Sequence, residues 1–538
     1  MIQATHAPAS ENKAGWFLLM TICLVQLGTT GDTSILANEM SALIGAFHTS
    51  IASIQLANIM YPLITGAFMM LGGTLGFRFG WKRMLFLGNV ILVIGEIFAY
   101  FSWNIVAFTF IARILVGIGA SLAIPATIGI VMAVYKGQMK AIAFSGLAAA
   151  NGLASAVGPI IGGWIITALN WRDNYILLAI VFLLASIATL FLWKVKVPGR
   201  KFSIDFLGAL LAVIGLALFT FGMAKITSWG AFQPINSPFT IFDLSPAPFF
   251  VIVGILFIWF FSLYESKREA RQQAVILPQT FIHTPASKSG LYMNAWVFMI
   301  LGGVMFSLVT FLQMVLDFSP VKTGVYLLYF AIGIIIFSIG TPIAAKNTSP
   351  RTICRWGIVI ATISCFLMAF GLERAGVNNW FLIIGLFVSG AGVGLLSSQA
   401  SNVVSGSVPE SLSEVSAGVQ GTTRNVGNAF GIAVVGLALI MSLTTSVKGS
   451  IAQSNYVPQT IKQRVTLMKD VPLMSNPALE KLLEQNRVSA PMTQHYVNIN
   501  LRSRVVAIRI TFLVLAILIL LGLFATKGLP GKDSEELA

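Results

Sequence analysis

The chain has 538 residues, of which 56% are hydrophobic and 10% charged, and its mean hydropathy is +0.85. Soluble domains carry about 25% charged residues, so this composition excludes a soluble globular protein. The net charge of +15 comes from basic residues between apolar runs, which indicates membrane topology and lipid contact and argues against nucleic-acid binding.

Apolar runs long enough to cross a hydrocarbon core of about 30 Å recur along the whole chain. They predict an all-α membrane protein with 14 spans, at 16–38, 51–72, 84–102, 105–134, 141–168, 174–195, 205–226, 247–265, 289–316, 322–344, 354–372, 379–405, 415–445 and 505–526. Short loops on the side of both termini hold about 16 Lys and Arg, and those on the opposite side hold about four. By the positive-inside rule, we expect both termini in the cytoplasm and the protein in the cytoplasmic (inner) membrane.

Two spans carry glycines at the same spacing of six and then four residues. They are Gly152, Gly158 and Gly162 in span 5 and Gly421, Gly427 and Gly431 in span 13. The repeat predicts two parallel bundles of six helices, residues 1–196 and 273–538, with two linker spans inserted at 197–272. The second bundle would carry a long extracytoplasmic loop before its last span.

The turn between spans 2 and 3, Gly72–Arg83, is rich in glycines and cations, which allow a sharp turn and hold it on the cytoplasmic side. It resembles the corresponding loop of the major facilitator superfamily, G-x-L-a-D-R-x-G-r-k. The matching positions are Gly73, Leu75, Arg78, Gly80 and Lys82. Phe77 stands where the family has an aspartate that helps to clamp the cytoplasmic gate. The resemblance therefore implies a gate at this turn that closes weakly or by other contacts.

Span 5 is similar to the antiporter motif of the same superfamily, g-x-x-x-G-P-x-x-G-G. The matching residues are Gly152, Gly158, Pro159, Gly162 and Gly163. Small residues let helices approach closely, and the proline bends the span, so this helix could form a tight seam that opens during transport. With its 14 spans, the chain resembles the drug:proton antiporter group of the superfamily.

Three ionisable residues are predicted at similar depth in the membrane: Asp32 in span 1, Glu96 in span 3 and Arg113 in span 4. Ionisable groups inside a membrane are costly and usually functional. Asp32 resembles the aspartate of the family motif D-x-t-i-v-n, and Arg113 the arginine of R-x-x-x-G-x-g-a, which implies proton coupling through a switchable ion pair. The alternative for Asp32 is a hydrated, incidental residue near the membrane interface, and the alternative for Arg113 is a structural ion pair that only fixes the bundle. Glu96 is predicted to be either a second proton site or the buried partner of Arg113.

One face of span 9 carries aromatic, Met and polar side chains at helical spacing, which suits a cavity for flat lipophilic molecules. Packing against span 10 or lipid is the alternative. The complete predicted substrate cavity consists of Gln26, Thr29, Trp296, Met299, Phe306, Thr310, Gln313, Gln420 and Arg424. For Arg424, a structural pair with Glu410 or Glu414 is an equal alternative.

The sequence contains no G-x-x-x-x-G-K-[ST] and no H-E-x-x-H motif, which argues against ATP-driven transport and metalloenzyme chemistry. We predict a proton-coupled exporter, not an enzyme, without a cofactor or metal and driven by the proton gradient. The expected substrate is a lipophilic cation, and the alternative is a specific endogenous metabolite such as an anionic siderophore. A receptor or channel is disfavoured, because two repeated halves suit alternating access. The expected partners are protons, lipid and a small molecule, with the protein as a monomer.

Overall fold

The computed structural model describes residues 9–531, except for 50, 192–204, 236, 274, 346, 372–379, 408–415, 469–470, 472, 474–475 and 487. The first helices in chain order are α1 Ala9–Asn38, α2 Met40–Phe47, α3 Ile51–Phe79, α4 Trp81–Tyr100, α5 Ile105–Val134, α6 Gly137–Ala168, α7 Asp173–Phe191, α8 Phe206–Trp229 and α9 Pro246–Ala270. The others are α10 Thr280–His283, α11 Pro285–Val315, α12 Pro320–Ala344, α13 Pro350–Gly371, α14 Trp380–Gly406, α15 Ser416–Gln453, α16 Gln459–Leu467, α17 Asn476–Gln485 and α18 Ala490–Ala525. The all-α fold class is confirmed.

Thirteen of the described helices are long and apolar enough to cross a membrane. The 30-residue helix α1, the first of the predicted spans, is not among them. Its second half is more polar than the other spans, because Gln26, Thr29, Thr30 and Asp32 interrupt the apolar run. The count of 14 spans therefore stays a prediction.

The repeated glycines make equivalent contacts in the two halves. A Cβ atom built on Gly158 of α6 would lie 2.9 Å from Ser34 Cβ of α1. A Cβ atom built on Gly427 of α15 would likewise be too close to the backbone of Ala295 in α11. Small residues allow such close approach between membrane helices. Helices α1 and α6 of the first half therefore correspond to α11 and α15 of the second.

The first glycine of each repeat faces the opposite half. Gly152 of α6 packs against Ile334 of α12, with 3.1 Å from an ideal Cβ to Ile334 Cδ1. Gly421 of α15 packs against the Met69 side chain of α3. Two related seams, α6 with α12 and α3 with α15, thus join the halves.

The linker helices α8 and α9 pack together through glycines, and α9 turns many apolar side chains outward. Helix α8 also contacts both halves, with Thr220 near Gly66 of α3 and Thr227 against Gly436 of α15. The predicted domain boundary at 196/197 lies outside the described residues. The residue boundaries of the two bundles and of the inserted helix pair stay a prediction.

The turn between α3 and α4 consists of Gly80 alone, whose φ of 96° is readily adopted only by glycine. Trp81 follows and is fully buried, in a space left by Gly76 of α3 and Gly129 of α5. Phe77 is also buried, whereas Arg78 is exposed. Apolar packing therefore stands where the family has its aspartate. We call the end of the bundle that carries this turn the basic end.

Candidate functional site

Asp32 of α1 and Arg113 of α5 form a buried, bidentate ion pair. Arg113 Nη1 donates to Asp32 Oδ1 at 2.9 Å, and Nη2 donates to Oδ2 at 2.6 Å. Both side chains are almost fully buried, at 0% and 1% exposure. The pairing predicted from their similar depth is confirmed, whereas its role in proton coupling stays a prediction.

The surroundings of Arg113 favour this geometry. The five residues before it, Phe108–Ala112, form a turn of π-helix, a widened geometry that is frequent at functional sites. The guanidinium lies 5.2 Å from the ring centre of Tyr61 and 5.9 Å from that of Phe108. Aromatic faces stabilise a desolvated cation, and a bidentate carboxylate fixes its orientation.

Glu96 of α4 is fully buried, and neither of its carboxyl oxygens has a hydrogen-bond partner among the described residues. It is not the direct partner of Arg113, because Nη1 and Nη2 of that guanidinium both donate to Asp32. A buried carboxylate without a partner is strongly unfavourable, whereas the neutral acid is far less so. Of the two predicted roles for Glu96, a second proton site fits this environment.

A third buried acid, Glu39, escaped the sequence analysis. It follows the last residue of α1, and its oxygens accept hydrogen bonds from Asn174 Nδ2 at 2.6 Å and from the Tyr175 hydroxyl. Asn174 Nδ2 also donates to the carbonyl of Gly162, at 3.3 Å, within the glycine motif of α6. Glu39 lies seven residues after Asp32, a spacing that keeps it on the same side of the helix. That spacing was the available signal.

Burial raises the pKa of Glu39 to about 8 from an ordinary value of 4.5, although its bonds to Tyr175 and Asn174 lower it. The charge of Asp32 raises the pKa of Glu39 and that of Arg113 lowers it, and both effects are smaller than those of burial and of the hydrogen bonds. Because the folded protein binds this proton more tightly than the unfolded chain, its contribution to stability is full below about pH 4.5 and is lost as the pH rises through 8. The difference is on the order of 5 kcal/mol.

We therefore expect Glu39→Gln to flatten the pH dependence of thermal stability. Between pH 6 and pH 9 in detergent, the Tm of the wild type should fall more than that of the variant, since glutamine does not ionise. Other titrating groups contribute to both curves and cancel in the difference. Parallel curves over this range would show that Glu39 does not titrate there.

A cavity lies between the halves. Its walls come from α6, α11, α12, α14 and α15, and the residues are Phe144, Ala148, Asn151, Gly152, Asn294, Val297, Phe298, Leu301, Ile334, Val393, Ser397, Ser401 and Arg424. Its volume is about 20 Å³, counted as the space that the centre of a water molecule can reach, which is room for about one water. A drug-sized ligand needs an open pocket of about 300–1,000 Å³, so the halves must separate to admit one.

Of the predicted cavity residues, Arg424 is part of this lining, whereas the predicted face of α11 is turned away. Trp296 Nε1 donates to the Leu518 carbonyl of α18 at 3.2 Å, and Met299 is buried against α15. Phe306, Thr310 and Gln313 also lie outside the lining. The aromatic and Met side chains pack against helices of their own half. The π-helical turn Phe311–Val315 further shifts Gln313 out of the 3.6-residue register.

The three remaining predicted cavity residues are buried behind the cavity wall. Gln26 Nε2 donates to Asn151 Oδ1 at 2.7 Å, so it acts on a lining residue. Thr29 donates to the backbone carbonyl of Val25, and Gln420 Nε2 donates to Ser416 Oγ at 3.0 Å. Polar residues inside a helical bundle often form hydrogen bonds between helices. Their position in the sequence does not show whether they join helices in this way or line a cavity.

The predicted gating residues lie where helices meet. At the basic end, Gly73 of α3 contacts Gly418 of α15, and an ideal Cβ on Gly73 would be 2.5 Å from the Gly418 Cα. Nearby, Ser416 Oγ lies 3.2 Å from Met132 Sδ of α5. The halves are therefore closed at this end. Gly158 and Gly162, which flank Pro159, pack instead against α1 of the same half.

The remaining turn residues make local contacts. The guanidinium of Arg78 lies 5.2 Å from the ring centre of Phe79, and Lys82 is largely buried although it begins α4. Together with Gly80, they shape the turn itself, whereas Gly73 forms the contact between the halves.

Two similar helical halves around a cavity are an architecture that many membrane transporters share. The model of the Major Facilitator Superfamily matches residues 22–432. The chain belongs to this superfamily and is an integral, multi-pass membrane transporter.

Several curated proteins are similar over most of the chain. The tetracenomycin C resistance and export protein of Streptomyces glaucescens is 25% identical over 81% of this chain and 78% of its own. The puromycin resistance protein of Streptomyces alboniger is 26% identical over 78% and 81%, and a riboflavin transporter of Clostridioides difficile (strain 630) is 26% identical over 83% and 92%. The crystal structure of the human organic anion transporter MFSD10 has a TM-score of 0.58 at 11% identity, covers 97% of this chain and 100% of its own, and is similar in fold.

Proposed function

We propose that this protein is a proton-coupled antiporter of the cytoplasmic membrane that exports lipophilic compounds by alternating access. The observation that carries the proposal is the buried Asp32–Arg113 pair together with Glu96 of the same bundle, whose carboxyl has no hydrogen-bond partner among the described residues. Relatives named for antibiotic resistance and export support the direction of transport. Both termini are proposed to be cytoplasmic and the working unit a monomer.

Proton coupling follows from the chemistry of the pair. When Asp32 takes up a proton, it loses its charge and the two charge-assisted bonds to Arg113 weaken. The freed guanidinium then needs another anionic or polar partner, and the helices α1 and α5 are no longer held together. Because α1 packs against the glycine face of α6, movement of α1 reaches the seam with α12. Protonation and the tilt of the halves are thereby linked.

A second candidate is the export of one endogenous anionic metabolite, as a siderophore would be. The cavity favours this candidate on one observation: among the described residues, its lining contains a cation, Arg424, and no acid. The carboxylates that suggested a cationic substrate lie elsewhere in the first half.

The proposal is tested in proteoliposomes with an imposed pH gradient. A panel of one cation, one neutral compound and one anion covers the substrate charge: ethidium, N-phenyl-1-naphthylamine and 1-anilinonaphthalene-8-sulfonate. We expect the wild type to concentrate at least one of them, and a protonophore to abolish the accumulation. Asp32→Asn should reduce gradient-driven transport more than tenfold while exchange without a gradient stays within about threefold. Full uphill transport by this variant would refute the proton role.

A further inference from the structure

Arg424 is held in the cavity wall by neutral groups. Its Nη2 donates to Ser401 Oγ at 2.9 Å and its Nε to Asn294 Oδ1 at 3.4 Å. The guanidinium lies 5.0 Å from the ring centre of Phe298. Within the described residues, no carboxylate comes within ion-pair distance of it. The two acids predicted as its structural alternatives, Glu410 and Glu414, lie outside the described residues.

Of the cavity-lining residues in the described part of the chain, only Arg424 is charged. Asp32 is engaged by Arg113, and neither Glu96 nor Glu39 borders the cavity. A guanidinium surrounded by protein and apolar walls is stabilised by a counter-anion far more than it would be in water. The cavity therefore has a positive potential that disfavours a cationic ligand and favours an anionic one.

The first half contributes a donor to the same space. Asn151 Oδ1 accepts hydrogen bonds from Gln26 Nε2 at 2.7 Å and from Thr30 Oγ1 at 2.6 Å. With its oxygen used in this way, the NH₂ group is what Asn151, itself part of the lining, has left to offer a ligand. A guanidinium from α15 and an amide NH₂ from α6 thus line one cavity from opposite halves, a donor set that suits an oxyanion.

We propose that the transported compounds are anions with a flat apolar body, whose anionic group binds between Arg424 and Asn151 while the body contacts Phe144, Phe298 and Leu301. This inference rests on the proposed export function and names its substrate class. It reverses the charge expected from the sequence. Because the two donors belong to different halves, the anion would also join the halves when they close around it.

The test is equilibrium binding to the purified full-length protein, without any gradient, by scintillation proximity. Three probes share one ring system: naphthalene-2-sulfonate, 2-methylnaphthalene and N,N,N-trimethyl-2-naphthylammonium. For the wild type, we expect the sulfonate to bind at least tenfold more tightly than the ammonium compound. Arg424→Gln should weaken the sulfonate at least tenfold and leave 2-methylnaphthalene within about threefold, since one charge-assisted contact corresponds to roughly that factor.

Two further variants sharpen the result. Arg424→Lys keeps the charge without the planar fork and should fall between wild type and Arg424→Gln. Asn151→Asp places a negative charge on the opposite wall and should weaken the sulfonate alone. Unchanged binding of the neutral probe shows that each variant is folded.

Three outcomes would overturn the inference: tighter binding of the ammonium compound by the wild type, equal weakening of all three probes by Arg424→Gln, or no binding of the sulfonate. Asp32→Asn separates this inference from the proton proposal. If that variant keeps both its uphill transport and its preference for the sulfonate, proton coupling through Asp32 fails while the substrate class stands.

Discussion

Replacing Arg113 alone with Gln is expected to destabilise the protein by about 3–5 kcal/mol, because Asp32 would stay buried without its partner. This variant loses both hydrogen bonds of the ion pair, and helices α1 and α5 offer no other cation to Asp32 among the described residues. The measurement is Tm in detergent at pH 7. Arg78→Gln serves as the matched control, since Arg78 is exposed and should change stability by less than about 0.5 kcal/mol.

The double variant Asp32→Asn with Arg113→Gln should recover most of the lost stability, because it removes both charges and two amides can still share a hydrogen bond. The same double variant should lack gradient-driven transport, which separates folding from coupling. If the two single changes simply add in the double variant, the residues are not energetically coupled, and the ion pair cannot act as a switch.

Valine at position 73 is expected to prevent closure of the basic end. A Cβ at Gly73 would already lie 2.5 Å from the Gly418 Cα, and the contact is backbone against backbone, so there is no side chain that could move aside. Transport by Gly73→Val should fall more than tenfold, with the protein trapped open at that end. Gly340→Ala is the control, because a Cβ there meets nothing within 4 Å and alanine favours a helix.

The trapped state is detected by thiol labelling. Ser416 is fully buried beside Met132, so a Ser416→Cys thiol should react slowly with a permeant maleimide in the otherwise unchanged protein. In the Gly73→Val background it should react at least tenfold faster. The parent without Ser416→Cys measures labelling of the native cysteines. Normal transport together with a protected thiol at 416 would mean that this contact is not part of the gate.

The features that could be predicted from the sequence depend on membrane depth or on close helix contact. Because each span crosses the same thickness, residue counts place Asp32 and Arg113 at one level. The glycine spacing indicates which face of each helix packs closely against another helix. The repeat in α6 and α15 can therefore be recognised without knowing which helices they contact. Both signals are local to one helix and need no knowledge of its neighbours.

The features that were missed depend on neighbours distant in the chain. Helix α11 is apolar on several faces, and its periodicity does not tell whether Trp296 or Phe298 faces the cavity. Glu39 comes after the end of a span, where a carboxylate is ordinarily hydrated. Its burial results from Asn174 and Tyr175, more than 130 residues further along the chain.

Helix α8 touches α3 through Thr220 and α15 through Thr227, so the tilting that we propose must shift at least one half along it. A hydrophobic compound that enters this contact from the lipid would inhibit the movement without occupying the substrate cavity. Such inhibition should be noncompetitive, and raising the substrate concentration should not relieve it.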